Sequence, residues 1–420
     1  MKNNIAVIIL AAGKGERMKS RLPKVAHQVC GRPMLFYVLD LVRRVKIGRA
    51  VAVLGYKHEL VRPLLGRNIK VAIQGQLLGT ADAVKKALPQ LKNFKGTVLI
   101  LYADNPLLKE ETIKKLLKYH IENNCAATLL TAKLDKPEGY GRILRDEYSS
   151  ICGIVEEKDA DDFQKGIKEI NTGIICFDKD KLVRALAQVK ANNRKKEYYL
   201  TDTVGILYRK GNLVESVNLG DVDEALGINS RVDLAKANGI MQKRINEALM
   251  KEGVTIVDSG STFISQGAKI GRDTTIYPFT VIESDVKIGK HCYVGPFVHL
   301  RCGSYLDDNV VLGNFIEVVR SRISSGTLMK HFGYIGDAAV GHAVNIGAGC
   351  VTANFDGKQK HTTVIKDRAF LGSDTILVAP VKIGRGAKTG AGSVVVKNQN
   401  IPDGEVVVGI PARSIKIKTR

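Results

Sequence analysis

Two rhythms of apolar residues divide the chain. Up to about residue 226, short apolar runs alternate with amphipathic stretches: IAVIIL (5–10), PMLFYVLDLVRRV (33–45), AVAVL (50–54), HELVRPLL (58–65), KVAIQ (70–74), TADAVKKAL (80–88), TVLILY (97–102) and ETIKKLLKYHIENN (111–124). Near-continuous apolar strands separated by helices predict a doubly wound, mostly parallel sheet of the Rossmann-like α/β class. Ligands of such sheets gather at the carboxyl ends of the strands, where Gly13 and Asp104 fall. A helical stretch, NSRVDLAKANGIMQKRINEALM (229–250), then leads into a different pattern.

That pattern is a hexapeptide, x-(aliphatic or Thr)-Gly-x-x-x. It recurs as KIGRDT, KIGKHC, YVGPFV, VLGNFI, YIGDAA, AVGHAV, NIGAGC, FLGSDT, KIGRGA and KTGAGS. A short fixed period means stacked coils, each burying its face only against its neighbours. Counted on the residue before glycine, the steps from Ile270 are 18, 6 and 18, or three hexapeptides per triangular coil. The expected organisation is therefore an α/β domain at 1–226, a helical linker at 227–250 and a parallel β-helix at 251–420 of roughly seven to nine coils. The steps then become 23 from Leu312 to Ile335, 5 to Val340, and 25 from Ile346 to Leu371. Residues inserted or lost in a solenoid loop out on one face, often the working one. The first window holds Arg320, Arg322, Lys330, His331 and Tyr334, and the second holds Asn354, Phe355, Asp356, Lys358, Lys360 and His361.

Composition narrows the function. The net charge is +22, but the basic residues are spread along the chain, aromatic residues are 6%, Trp is absent and no nucleic-acid module is visible. A positive field suits small polyphosphates instead. The seven cysteines (30, 125, 152, 176, 292, 302, 350) are odd in number and contain no CxxC pair, as in a reducing cytoplasm. Lys2 before IAVIILAA is the one signal-like feature, and it runs into a charged glycine loop instead of a cleavage site. No apolar stretch approaches the roughly 20 residues that span a bilayer.

The glycine loop is the first candidate for chemistry. LAAGKGERMKSRLPK (10–24) brings backbone N–H groups to a strand end with Lys14, Arg17, Lys19, Arg21 and Lys24 around them, which suits an anion. Neither a Walker loop nor a GxGxxG is present, so the owner of that anion stays open on these residues alone.

Further motifs in order along the chain make the resemblance specific: LAAGKGERM, LPK, IQGQLLGTADA, LYADNP, GYGRI, GIVEEKDA, INTG, EYYLTD and LGINSR, then HLRCG, GNFIEV, KHFGYIGDA, VNIGAGCVTANFDG, FLGSDTILVAP and GAGSVV. The chain resembles the bacterial bifunctional UDP-N-acetylglucosamine pyrophosphorylase/glucosamine-1-phosphate N-acetyltransferases over nearly its whole length. The resemblance implies a left-handed β-helix, a homotrimer in the cytoplasm and Mg²⁺ as cofactor. Its substrates would be glucosamine 1-phosphate, acetyl-CoA, UTP and N-acetylglucosamine 1-phosphate, with neither nucleic acid nor membrane as partner. It implies that Leu10, Ala11, Ala12 and Gly13 line the nucleotide with Tyr102 and Ala103, that Gln74, Gly79 and Thr80 read uracil, and that Arg17 and Lys24 grip phosphates. Gly141, Glu156 and Asn171 would hold the amino sugar, and Asp104 and Asn229 the metal. In the second half, His331 would be the general base. Arg301, Tyr334, Asn345 and Lys360 would bind the sugar phosphate, and Ala348, Asn354, Phe355, Ser373 and Ala391 would line acetyl-CoA. The other histidines (27, 58, 120, 291, 299, 342, 361) read as ordinary surface or core residues.

Several residues depart from the family pattern. Glu16 replaces a threonine inside the phosphate loop, Val319 a lysine for the sugar phosphate, and Phe355 a tyrosine; the segment from Gly253 to Arg301 is shorter. A negative charge at Glu16 is expected to weaken triphosphate binding unless it points outward or helps hold the metal. Val319 and Phe355 leave open an alternative, a sugar-1-phosphate nucleotidyltransferase whose hexapeptide coil is only structural or regulatory.

Overall fold

The computed structural model describes residues 4–415, so Lys2 lies outside the described residues. The chain packs as two compact units: residues up to Val29 with Pro33–Asn238, and Cys30–Arg32 with the residues from Gly239 on.

The first unit is built on one sheet. Its strands are β1 (Ile5–Ala11), β2 (Arg49–Leu54), β3 (Ile69–Ile73), β4 (Thr97–Tyr102), β5 (Ala127–Lys133), β6 (Gly141–Arg145), β7 (Ile151–Val155), β8 (Glu169–Asp178) and β9 (Val214–Asn218). They lie in the order β9-β5-β8-β4-β1-β2-β3, with the β6–β7 hairpin joined to β8. Pairing is parallel except around β8, which is antiparallel to β4 and β5 and shifts register between Asn171 and Ile175. The helices longer than four residues are α1 (Met34–Arg44), α2 (Thr80–Ala87), α3 (Glu110–Glu122), α4 (Lys179–Leu186), α5 (Asp202–Arg209) and α6 (Arg231–Lys251). Helix α1 buries Met34, Leu35, Val38, Leu39, Leu41 and Val42, the spacing of one helical face. Ala6 to Ile9 of β1 are fully buried, as a central strand covered on both sides requires. Leu10 pairs with Tyr102, so β1 and β4 end level and release Gly13 and Asp104 at one sheet edge.

The second unit is a coil of three sheets, parallel except where Arg413–Ser414 closes the first one antiparallel, whose first strands are Thr255–Ile256, Phe263–Ile264 and Lys269–Ile270. Among the described residues it makes eight full coils and begins a ninth. Inward aliphatics form its core, as with Ile276, Val294, Leu312, Met329 and Ile346 in the first sheet. The repeat glycines sit where one coil's backbone rests on the next. A Cβ at Gly271 would stand 2.6 Å from the Gly289 carbonyl oxygen, and one at Gly347 would stand 2.6 Å from the Ser373 nitrogen. The start of the coil is tied to α6 by a buried polar network. The Gln242 amide donates to Asn246 at 2.9 Å and accepts from the Ile264 N–H, while Asn246 donates to the Ser259 and Thr262 carbonyls. Cys30–Arg32 joins this unit because the Cys30 carbonyl accepts from the Gln266 N–H at 2.9 Å.

The register corrects the sequence reading of the irregular windows. The step of 23 from Leu312 to Ile335 runs from the first sheet to the second and measures no coil. Leu312 pairs with Met329 and Met329 with Ile346, each 17 residues on, and Ile346 pairs with Leu371, 25 on. The first window therefore holds no insertion. Two coils lose one residue each and the next gains a loop at 354–362. All three changes fall at the corner between the second and third sheets, where Glu317 is followed by Arg322 in the third sheet, Tyr334 by Ala339 and Val351 by Val364.

Gly347→Ala is expected to cost about 1–3 kcal/mol, because the added methyl meets backbone that cannot yield. Gly239→Ala, in open space on α6, is expected to stabilise by about 0.5–1 kcal/mol. Chemical unfolding of the two variants reads the opposite signs.

Candidate active sites

In the first unit, the loop after β1 folds back on itself through Gly15, whose φ of 65° belongs to the left-handed region. A Cβ there would stand 2.7 Å from Lys24 Cβ, so the bare glycine lets the Lys24 stem lie against the loop. Among the described residues, the N–H groups of Gly13, Lys14 and Gly15 donate to no protein acceptor, which leaves them to a ligand. Arg17 is exposed beside them. Leu10, Ala11 and Ala12 are buried, as is Ala103, whose N–H donates to the Leu10 carbonyl at 3.0 Å.

Lys24 joins the loop to the strand end. Its ammonium makes an ion pair with Asp104 and donates to Asn229 Oδ1 at 2.8 Å, with the Lys24 and Asp104 side chains 13% and 17% exposed. Asn229 is aimed by its surroundings: its Nδ2 donates to the Gly227 carbonyl at 3.2 Å, leaving Oδ1 toward the lysine. Just beyond it, Asp233 Oδ2 accepts from the Asn229 and Ser230 N–H groups and Ser230 Oγ accepts from the Asp233 N–H, a capping arrangement that starts α6. Two hard oxygens thus already share one cation. Among the described residues no cluster of three His, Cys, Asp or Glu could hold a metal, but Mg²⁺ takes few protein ligands and fills the rest with water and phosphate oxygens. Asp104 and Asn229 fit that ion.

Gln74 is buried, and its Nε2 donates to the Gly79 carbonyl at 3.0 Å and to Asp82 at 2.9 Å, so the amide offers Oε1 to an incoming donor. Gly79, at φ 113°, packs where a Cβ would stand 2.5 Å from the Tyr198 carbonyl oxygen, and Thr80 Oγ1 accepts from the Leu200 N–H. The sugar candidates also converge. Asn171 is paired in register with Gly141, and a Cβ on Gly141 would stand 3.4 Å from Glu156 Oε2. Glu156 accepts from Thr201 Oγ1 at 2.9 Å, and burial raises its carboxyl above the ordinary range. Tyr102 lies near both Glu156 and Asp104. Burial raises its phenol first, and the nearby Glu156 and Asp104 raise it further.

In the second unit, in-register stacking turns scattered residues into columns. His331, Ala348, Ser373 and Ala391 occupy equivalent places at the corner between the first and second sheets in four successive coils. Backbone bonds link those coils there, from the Gly349 N–H to the Phe332 carbonyl, from Asp374 to Ala348 and from Gly392 to Ser373. His331 is exposed. At the second-to-third corner, Arg320, Asp337 and Asn354 form another column. Arg320 grips Asp337 with two bonds of 2.6 and 2.7 Å, and the Asn354 amide donates to the same carboxylate. The guanidinium holds the Asp337 carboxyl below its ordinary range, with help from Asn354 and Lys360. Arg301 and Tyr334 lie along the second sheet between the columns, and Arg301 is paired with Glu317 at 2.9 Å. Asn345 is set apart on the first sheet. Val319 is only 3% exposed and follows Arg301 by one coil, so no cation stands there, and Arg320 is already committed to Asp337. Phe355 and Lys360 are exposed on the inserted loop.

A MobA-like NTP transferase domain matches residues 7–195, and the bacterial transferase hexapeptide, in six repeats, matches 267–302. The bifunctional protein GlmU of a Geobacillus species is 43% identical, covering 92% of this chain and 92% of its own. Those of Brevibacillus brevis and Clostridioides difficile are 42% and 41% identical, covering 97% and 98% of this chain and 95% and 96% of their own. The chain belongs to the GlmU family. Like a GlmU it is a bifunctional enzyme, transferring acetyl from acetyl-CoA to glucosamine 1-phosphate and then uridylyl from UTP to the product, and the single-activity alternative gives way to this reading. Its coil is of the left-handed hexapeptide type. Among the described residues no helix is long and apolar enough to cross a membrane.

The candidate-site residues missed from the sequence are those that hold others: Asp82 behind Gln74, Thr201 behind Glu156, and Asp337 behind Arg320 and Asn354. Thr201 and Asp337 lie inside the EYYLTD and KHFGYIGDA motifs, where their letters were visible but their partners were not. Glu16 meets the exception allowed for it. It is 73% exposed and paired with Lys14 at 2.9 Å, and that ammonium lowers its carboxyl pKa. Exposed ion pairs contribute little, so Glu16→Thr is expected to change the KM for UTP by less than about threefold. A steady-state titration with UTP checks it.

Proposed function

We propose that the two transfers divide between the two units, with the first unit performing uridylyl transfer and the β-helix acetyl transfer. The convergence of Asp104 and Asn229 on the Lys24 ammonium carries this reading for the first unit. Mg²⁺ held by those two oxygens would neutralise charge on the phosphate oxygens of bound UTP. The N–H groups of Gly13–Gly15 and the cations Arg17 and Lys24 hold the triphosphate. A phosphate oxygen of N-acetylglucosamine 1-phosphate attacks the α-phosphorus, the bond to the β-phosphate oxygen breaks, and pyrophosphate leaves with its charge compensated. Gln74 Oε1 accepts the uracil N3–H beside Gly79 and Thr80, Leu10–Gly13 and Tyr102–Ala103 line the nucleotide, and Gly141, Glu156 and Asn171 seat the sugar.

In the β-helix, the exposed His331 imidazole takes a proton from the glucosamine amine as its nitrogen attacks the thioester carbonyl. The carbon–sulfur bond breaks and coenzyme A leaves as the thiol. The column Ala348–Ser373–Ala391 lines the acyl carrier together with Asn354 and Phe355, and Arg301, Tyr334, Asn345 and Lys360 bind the sugar phosphate. A homotrimer completes the reading. Its support is the spread of these residues over two sheets and two corners, and an exposed stack of Phe279, Phe297 and Phe315, with ring centroids 4.9 and 5.0 Å apart. Cysteines without disulfides among the described residues suit a reducing cytoplasm.

Asp104→Ala is expected to abolish pyrophosphate release while leaving thiol release from acetyl-CoA near wild type, and His331→Ala the reverse when N-acetylglucosamine 1-phosphate is supplied. Loss of both activities in either folded variant contradicts the division. Because Lys24 occupies the two oxygens that would hold the metal, Lys24→Met is expected to tighten Mn²⁺ binding to nucleotide-free protein, while Asp104→Asn weakens it on the order of tenfold or more. Calorimetry or electron paramagnetic resonance of free Mn²⁺ reads both.

A further inference from the structure

The loop at 354–362 is the coil's one large departure from its 18-residue repeat, and it carries Asn354 and Lys360. Its conformation is fixed from within. The His361 N–H donates to the Asn354 carbonyl at 2.8 Å, Phe355 and Lys360 face each other in an antiparallel bridge, and the Asp356 N–H donates to the Gln359 carbonyl at 3.2 Å. Asp356 anchors it. One carboxylate oxygen accepts the N–H groups of Lys358 and Gln359 at 3.0 and 2.9 Å, and the other meets His361 Nε2 at 2.6 Å and Lys397 Nζ at 3.3 Å. Lys397 belongs to a later coil, so this carboxylate ties the loop to the body of the helix. These donors hold the Asp356 carboxyl far below its ordinary range, the backbone N–H of Gln359 first and then His361. The His361 side chain is 16% exposed, well shielded for a loop residue.

We propose that Asp356 and His361 are positioning residues of the acetyl-transfer site, holding the inserted loop so that Lys360 faces the phosphate of the acceptor sugar. The proposal rests on the reading of Lys360 as a sugar-phosphate ligand. It gives the loop a task. With Val319 buried and Arg320 held by Asp337, Lys360 is left as a cation of this corner without a carboxylate within ion-pair distance among the described residues. A lysine on an unpinned loop spends its charge on solvent, and ordering it again costs binding free energy. His361, ordinary by sequence, is here the donor that closes the anchor. The Nε2 proton points at Asp356 and lies outside the transfer itself.

The test uses the full-length enzyme and acetyl transfer read as thiol release. Asp356→Asn, His361→Ala and Lys360→Ala are each expected to raise the KM for glucosamine 1-phosphate on the order of tenfold, with the KM for acetyl-CoA moving less than about twofold. His361→Gln, whose Nε2 still donates, is expected to recover most of the loss. Adding Asp356→Asn to Lys360→Ala is expected to give no further rise, since both act through one side chain. Uridylyl transfer in the same preparations reports on folding. If Lys360→Ala raises the KM and Asp356→Asn does not, the anchor is overturned while the ligand reading stands. If Lys360→Ala leaves the KM unchanged, the ligand reading fails and the proposal with it. If Asp356→Asn raises both KM values together, or His361→Gln behaves like His361→Ala, a general structural role replaces positioning.

Discussion

Parallel, in-register strand pairing brings together the residues of both candidate sites. In the first unit it brings β1 and β4 to an end at the same level, since Leu10 lies opposite Tyr102, and the chain leaves the sheet there as Gly13 and Asp104. In the second it places each residue directly over its equivalent in the preceding coil, so that residues 17 to 25 positions apart become neighbours. The pairing demands bare backbone at the contact points, which explains glycine at Gly271 and Gly347. The same geometry makes a column of His331, Ala348, Ser373 and Ala391.

Charge then decides what the strand ends can hold. Lys24, Asp104 and Asn229 form a compact cation seat because Gly15 lets the Lys24 stem lie close and the turn into α6 aims the Asn229 amide. At the β-helix corner the opposite happens, because Arg320 is spent on Asp337. Burial adds to this in the first unit, where Glu156 and Tyr102 are both pushed toward their neutral forms beside the sugar candidates.

The fold was legible because both periods are strong. The runs at 50–54, 70–74 and 97–102 are strands β2, β3 and β4 to within a residue, and the helical stretch at 229–250 is α6, shifted by its Ser230 cap. The antiparallel β8 was not legible, because an apolar strand carries no sign of its direction. Nor was the placing of the irregular coils: a glycine count cannot tell which sheet a residue belongs to, so the step of 23 could not show whether residues were inserted or lost. The ligand-facing candidates came from motifs, whereas Thr201, Asp337 and Asp356 act by holding other side chains, a relation that exists only after folding. Which branch Glu16 takes was hidden for the same reason, since its pairing with Lys14 is a contact of the folded loop.

The proposed division of the two transfers between the units implies that the acetylated intermediate can pass between molecules through solution. The most direct measurement mixes Asp104→Ala protein with His331→Ala protein and supplies glucosamine 1-phosphate, acetyl-CoA, UTP and Mg²⁺. UDP-N-acetylglucosamine should form in the mixture and in neither protein alone, after a lag while N-acetylglucosamine 1-phosphate accumulates. A mixture as inactive as its components, with each protein folded, would contradict the account.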